Sequence, residues 1–154
     1  MTVYDFTTQL AHGADGEAKL DAYFSKWYTI RHATRIEQRC GIDRVFSRPG
    51  GLFKVEYKTD TTAASTGNAF VETVSVDTFG KPGWAYASEA DYLIYYIPGP
   101  EAIYIIAFAT LRKHLARWVK SYPVRKIPNK SYHTHGILVP LDEFERIAEK
   151  VDSL

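Results

Sequence analysis

The chain has little cysteine: Cys40 stands alone among 154 residues. No disulfide can close within it, so a reducing compartment is expected, with Cys40 a small core residue. No apolar run approaches the ~20 residues of a membrane-spanning helix, and the N-terminus lacks the basic and apolar segments of a secretory signal. These absences predict a soluble, cytoplasmic protein without a membrane partner. A Gly-rich nucleotide loop, internal repeats and heptads are also missing, which argues against P-loop enzymes, solenoids and coiled coils. Net charge is almost nil, with 19 Lys and Arg against 18 Asp and Glu.

What is present describes a folded globule. Apolar residues make up 45% of the chain and aromatic residues 14%, enough for a sizeable core, and the length suits one domain over residues 1–154. The near-neutral total hides a segregation of charge. Lys26 to Lys58 contains eight Lys or Arg against three acids, and Arg112 to Lys130 contains seven and no acid. Such clustering sets up a local positive field suited to a phosphate backbone, or else ordinary solvated faces.

The spacing of apolar residues predicts a helix over about Phe6 to Tyr28, with Leu10, Leu20, Phe24, Trp27 and Tyr28 on its apolar side and Gly13 and Gly16 weakening its middle. Glu17 falls on the inward stripe of that helix, where a carboxylate requires a partner, or else it is a helix-start carboxylate after Asp15-Gly16, facing backbone N–H groups and the dipole. A short extended segment is expected over 28–34 and a polar loop over 59–67. The alternating segment Asn68 to Asp77 puts Glu72 on its more apolar face, paired with a buried base or joined to an acidic cluster. A turn follows at Phe79 to Trp84, with Trp84 anchoring core packing. Two apolar runs, Asp91 to Ile97 and Ala102 to Phe108, flank Pro98-Gly99-Pro100-Glu101 and predict a central hairpin covered on both faces. Leu111, Leu115, Trp118, Val119 and Tyr122 recur at helical spacing, opposite Arg112, Lys113, Arg117 and Lys120. A basic loop is expected over 122–130, a late strand over 131–139 and a final helix over 141–151. His133 and His135 share a strand face but lack enough neighbours for a zinc site, so a phosphate-binding or surface role is expected.

The most informative stretch is Gly41 to Phe46, followed after Ser47-Arg48-Pro49-Gly50-Gly51 by Leu52 to Lys58. Glycine and proline between two strand-like runs predict a hairpin that carries Asp43 toward Glu56. Strand alternation places Glu56 and Lys58 on one face and Val55 and Tyr57 on the other. Two carboxylates and an ammonium then converge, a donor set suited to a hard divalent cation and a phosphate.

Asp43, a gap and Glu56-Tyr57-Lys58 resemble the signature of the PD-(D/E)xK nuclease superfamily, which includes Holliday-junction resolvases. The resemblance runs from about Gly13 to Ile106. Two departures are visible: isoleucine precedes Asp43 where the superfamily name has proline, and the second acid is Glu56, a permitted variant. The resemblance implies an α/β fold of the restriction-endonuclease-like type, with a mixed central β-sheet flanked by helices. It also implies Mg²⁺-dependent hydrolysis of DNA phosphodiesters, with Mn²⁺ able to substitute, on a branched or otherwise structured substrate. Asp43 and Glu56 would bind metal with the Tyr57 carbonyl, Lys58 would orient or polarise the attacking water, and Glu17 would be an extra ligand. Arg112, Lys113, Arg117, Lys120, Arg125, Lys126 and Lys130 would hold the DNA backbone, and a homodimer would cut two strands. The alternatives are a nucleic-acid-binding module without catalysis and a structural or interaction protein on the same fold.

Overall fold

The computed structural model describes residues 6–154. In chain order it contains α1 (Phe6–Phe24), β1 (Thr29–His32), α2 (Arg35–Arg39), β2 (Arg44–Arg48), β3 (Gly51–Thr59), α3 (Ala63–Thr66) and β4 (Asn68–Val76). A 3-10 turn (Asp77–Phe79), β5 (Lys81–Pro82), α4 (Trp84–Ala87), β6 (Tyr92–Ile97), β7 (Ala102–Ala107) and α5 (Phe108–Ser121) follow. The chain then forms β8 (Val124–Pro128), β9 (His133–Pro140), α6 (Leu141–Ile147) and β10 (Lys150–Ser153).

A six-stranded sheet of order β1-β2-β3-β6-β7-β10 forms the centre. The β3–β6 pair is parallel and the other pairs are antiparallel, so the sheet is mixed and helices flank it. On one face, Leu20 and Phe24 of α1 pack on Phe46, Val55, Tyr57, Ile94, Tyr96 and Ile103. The other face joins a larger core, to which α5 contributes Leu111, Leu115 and Trp118 and α6 contributes Phe144. Burying each such Leu or Phe is worth roughly 1.5–3 kcal/mol. Covered on both sides, β6 is buried over Leu93 to Ile97, which is why its sequence runs almost continuously apolar instead of alternating.

The sequence pattern concealed a second sheet. The parallel β3–β6 connection runs out through β4 and β5, and β4 pairs on one side with β5 and on the other with the late strand β9 in a four-stranded antiparallel sheet of order β5-β4-β9-β8. Ala69, Val71, Ile137 and Val139 seat this sheet in the larger core. Residues expected as a basic loop over 122–130 thus include β8, because Val124 to Pro128 pairs with His133 to Ile137. The final helix stops at Ile147, and Lys150–Ser153 instead adds an edge strand to β7.

The first helix ends at Phe24 and runs through Gly13 and Gly16 without a break. Gly16 serves packing: a Cβ there would lie 2.2 Å from Thr59 Oγ1. Its lack of a side chain lets α1 approach the end of β3 closely. Leu10 and Trp27, expected on the apolar stripe, are exposed, because the contact with the sheet is made around Leu20 and Phe24.

A capping box fixes α2 just ahead of β2. The Thr34 hydroxyl accepts from the Glu37 N–H, and Glu37 accepts from the Thr34 N–H, satisfying two helix-start donors. Glu37 also takes a two-pronged ion pair from Arg31 at 2.9 and 3.1 Å. The Arg31 hydrogen bond and the Thr34 contacts hold the Glu37 carboxyl down at about 2, against an ordinary 4.5. Because the folded value is depressed, the stabilisation is present above the ordinary carboxylate range and disappears as pH falls through about 2. NMR titration is expected to find Glu37 well below the other exposed glutamates, and Arg31→Ala to move it back toward them. A Glu37 midpoint near 4.5 in the native chain would contradict the pairing.

Candidate active site

The site assembles where the β2–β3 hairpin meets the N-terminal helix. Arg48 pairs with Gly51 across the turn, and Gly50 adopts φ +84°, a conformation glycine accepts without strain. The register continues to Arg44 opposite Val55. One residue earlier, Asp43 comes level with Glu56. The Asp43 N–H donates to the Val55 carbonyl at 2.8 Å, and the Tyr57 N–H donates to Asp43 Oδ2 at 2.8 Å. The hairpin therefore carries Asp43 to Glu56 as the turn residues predicted.

Alternation along β3 also follows expectation. Val55 and Tyr57 enter the core under α1, while Glu56 and Lys58 turn to the opposite face. Lys58 Nζ stands 3.0 Å from Glu56 Oε1 and 5.9 Å from the centre of the Trp84 ring. Glu56 is 4% exposed, and its other oxygen, Oε2, is buried without a hydrogen-bond partner. Burial pushes the Glu56 carboxyl up, Lys58 and the nearby Ser88 hydroxyl pull it down, and Asp43 adds to the rise. For Lys58, burial opposes the charged form, but the carboxylates of Glu56, Glu72 and Asp43 outweigh it and leave the ammonium raised.

Glu72 joins the cluster from β4. Burial raises its carboxyl, opposed by Lys58 and the Trp84 backbone, while Glu56 adds to the rise. Glu72 thus joins the acidic cluster, within the field of the Lys58 ammonium. Gly83 makes this convergence possible, since a Cβ there would lie 2.3 Å from the Glu72 carbonyl oxygen. Without a side chain, the start of α4 lies directly against β4 and brings Trp84 over Lys58.

Glu17 approaches from α1. Burial raises its carboxyl, Asp43 and Asp21 add to the rise, and Arg44 lowers it. Arg44 is itself buried, at 6% exposure. It donates to both oxygens of Asp21 at 3.0–3.2 Å and to the Asp43 carbonyl at 2.9 Å, and lies 3.6 Å from Glu17 Oε2. The Tyr57 hydroxyl donates to Asp21 at 3.0 Å, and the guanidinium stands 5.4 Å from the Tyr57 ring centre. This Arg44–Asp21–Tyr57 network ties α1, β2 and β3 beneath the acids. The network is not legible in the sequence, because the partner of Arg44, Asp21, lies on a distant helix.

No protein-family model matches the chain, and no curated protein sequence matches it. Among solved structures there is a likeness. The chain is similar in fold to a bacterial homing endonuclease, I-Ssp6803I. The TM-score is 0.52 with 18% identity, over 87% of this chain and 80% of the other. At that identity the likeness is one of fold, and it matches the mixed central sheet flanked by helices.

Among the described residues, no three His, Cys, Asp or Glu side chains stand in an arrangement ready to hold a metal ion. The donor chemistry nevertheless fits a hard cation. Glu56 Oε2 is a buried acceptor without a donor, Asp43 comes level with it, and the raised carboxyls of Glu17 and Glu56 share Asp43 as a repelling neighbour. A divalent cation would supply the missing partner and relieve the repulsion. Asp43 and Glu56 would hold it, with the Tyr57 carbonyl and Glu17 alongside.

The basic segment divides into two groups. Arg112 donates to the Ala85 carbonyl at 3.2 Å and to the Ser88 carbonyl, bracing α4. Arg117 pairs with Glu143 at 3.0 Å. These two expected phosphate contacts are thus engaged within the chain, because the acidic first turn of α6 packs beside α5 and the carbonyls of the short α4 needed donors. Lys113, Lys120, Arg125, Lys126 and Lys130 are exposed. His133 and His135 face Asp77, with His135 Nε2 3.2 Å from Asp77 Oδ2. No helix among the described residues is long and apolar enough to cross a membrane.

Proposed function

We propose that the chain is a Mg²⁺-dependent DNA endonuclease of the PD-(D/E)xK type, acting on a branched or otherwise structured duplex. The observation that carries this reading is Glu56. It is a buried carboxylate with one oxygen on Lys58 and the other unpartnered, level with Asp43 on the neighbouring strand. Burying a carboxylate with half its acceptors empty is costly, and binding a cation offsets that cost. The fold likeness to a structure described as a homing endonuclease supports the same reading.

When bound, Mg²⁺ (or Mn²⁺ in its place) neutralises charge on the phosphate and lowers the pKa of a bound water. Asp43 and Glu56 would hold the cation, and the Tyr57 N–H fixes the Asp43 carboxylate. Lys58 presents its ammonium at Glu56, positioned to orient the attacking water and to stabilise charge on the phosphate. Glu17 closes the site from α1. Lys113, Lys120, Arg125, Lys126 and Lys130 supply phosphate contacts, and a homodimer would bring two sites to the two strands.

The first test is cleavage of labelled duplex, single-stranded and four-way DNAs with Mg²⁺ or Mn²⁺, comparing the native chain with Asp43→Asn and Glu56→Gln. Native cleavage that both substitutions abolish is expected; unchanged cleavage by Asp43→Asn would sink the assignment. A second reading, a nucleic-acid-binding module without catalysis, draws support from Lys58, whose ammonium already balances Glu56 at 3.0 Å. Salt-sensitive binding that needs no metal and yields no product would favour it.

A further inference from the structure

The four-stranded sheet is anchored at one end and projects at the other. Beyond the core residues Ala69 and Val71, β4 leads to the Asp77–Phe79 turn, which meets the β8–β9 connection. This projecting end carries Lys81, Lys126, Lys130 and His133, all exposed. Its lone acid over residues 73–82 and 126–135, Asp77, is occupied: Oδ1 accepts from the His133 N–H at 2.9 Å, and Oδ2 faces His135.

At the tip of this basic end stands Phe79, 86% exposed. Gly80, at φ +64°, turns the chain away behind it. The ring is presented by a stitched turn. The Thr134 hydroxyl donates to the Ser75 carbonyl at 2.9 Å and accepts from Asn129 Nδ2 at 2.9 Å, and the Asp77 contacts fasten the turn to β9. A phenylalanine held in water forgoes the stabilisation of burial, and the stitched turn keeps it from folding back. Its partner must therefore offer apolar surface within a strongly anionic setting, because the surrounding side chains are cationic. Duplex DNA meets both requirements: phosphates for the lysines and base faces for the ring.

The position relative to the candidate active site is also suitable. Phe79 is five residues from Trp84, at most ~18 Å of extended chain, and Lys58 Nζ lies 5.9 Å from the Trp84 ring centre. Allowing roughly 8 Å more for the two side chains, and at ~3.4 Å per base pair, the ring reaches DNA within about ten base pairs of a phosphate at Lys58.

We propose that Phe79 is a wedge that enters the base stack of bound duplex DNA and kinks it close to the site of cleavage. The proposal rests on the DNA endonuclease reading and deepens it, because a wedge selects DNA whose steps unstack easily, as branched or mismatched DNA does. The exposed cations hold the backbone on either side while the ring separates one base step.

Insertion unwinds the helix, so the test needs no knowledge of a target sequence. In a Glu56→Gln background, nicked plasmid is closed by ligase in the presence of the protein and its linking number is read. A protein-dependent shift is expected with Phe79 in place; Phe79→Ala abolishes it and Phe79→Trp retains it. Phe79→Ala is also expected to weaken duplex binding roughly tenfold without changing its salt dependence, whereas Lys81→Ala/Lys130→Ala reduces the salt slope. If Phe79→Ala shifts the linking number as much as its parent, the wedge is refuted. Should the native chain cleave DNA while neither protein shifts the linking number, the wedge falls and the nuclease reading stands. If the chain neither cleaves nor binds DNA, both fall.

Discussion

Lys58→Ala is expected to slow Mg²⁺-dependent DNA cleavage by roughly 10²–10³-fold, the usual consequence of removing one charged group aimed at a reacting phosphate. The same substitution leaves the 4%-exposed Glu56 facing Glu72 and Asp43 without the ammonium now 3.0 Å away. A destabilisation of about 1–2 kcal/mol follows, below the usual figure for a broken buried pair because 36% of the Lys58 side chain meets solvent. Thermal unfolding separates the two effects. Divalent cation should raise the melting temperature of Lys58→Ala more than that of the native chain, because metal would then be the cluster's principal positive charge. Equal Mg²⁺ responses, or undiminished cleavage by Lys58→Ala, would remove Lys58 from the proposed chemistry.

Arg44→Met should produce the largest loss of stability, on the order of 3 kcal/mol in denaturant unfolding. Asp21, a quarter exposed, would lose three guanidinium contacts of 3.0–3.2 Å, and removing one partner of a buried ion pair strands the other. Arg44 also donates to the Asp43 carbonyl and stands by Glu17, so the substitution should loosen the approach of α1 to the acids and lower cleavage as well. Asp21→Leu/Arg44→Met is the informative companion. If the pair chiefly balances its own desolvation, the double variant regains most of the stability, while cleavage stays reduced because the Asp43 carbonyl keeps only the Ala33 N–H of its two donors. A loss below ~0.5 kcal/mol for Arg44→Met alone would mean that the network contributes little to the fold.

Both residues come from the same hairpin, but only one was legible beforehand. Lys58 could be placed by counting: two residues from Glu56 on a strand means a shared face, and Pro49-Gly50 between two strand-like runs means a hairpin. Arg44 could not. Its partner, Asp21, is 23 residues away on α1, and nothing local distinguishes a buried arginine from a solvated one. Similar reasoning explains Arg112 and Arg117. On a helical wheel they belong to a basic outer face, but the Ala85 and Ser88 carbonyls and Glu143 reach them from elements distant in the chain.

Glycine shows the same division. Gly50 was readable as a turn residue because a tight hairpin needs a left-handed position there. Gly16 and Gly83 read as a helix weakener and a turn, yet each marks where one backbone lies against another element. Close approach between distant segments leaves no periodicity to find.

By itself, then, the sequence determined what depends on neighbours along the chain: the β2–β3 hairpin, the shared face of Glu56 and Lys58, the buried β6–β7 pair and the amphipathic α5. Strand and helix periods are set by local backbone geometry, so these features are written into short stretches. Tertiary structure alone decided that β4, β5, β8 and β9 form a second sheet, that Lys150–Ser153 is a strand, that Arg44 and Asp21 lie buried together, and that Glu72 meets Lys58. Each of those outcomes depends on which surfaces meet once the core closes, a long-range matter of burial and charge compensation that no single stretch encodes.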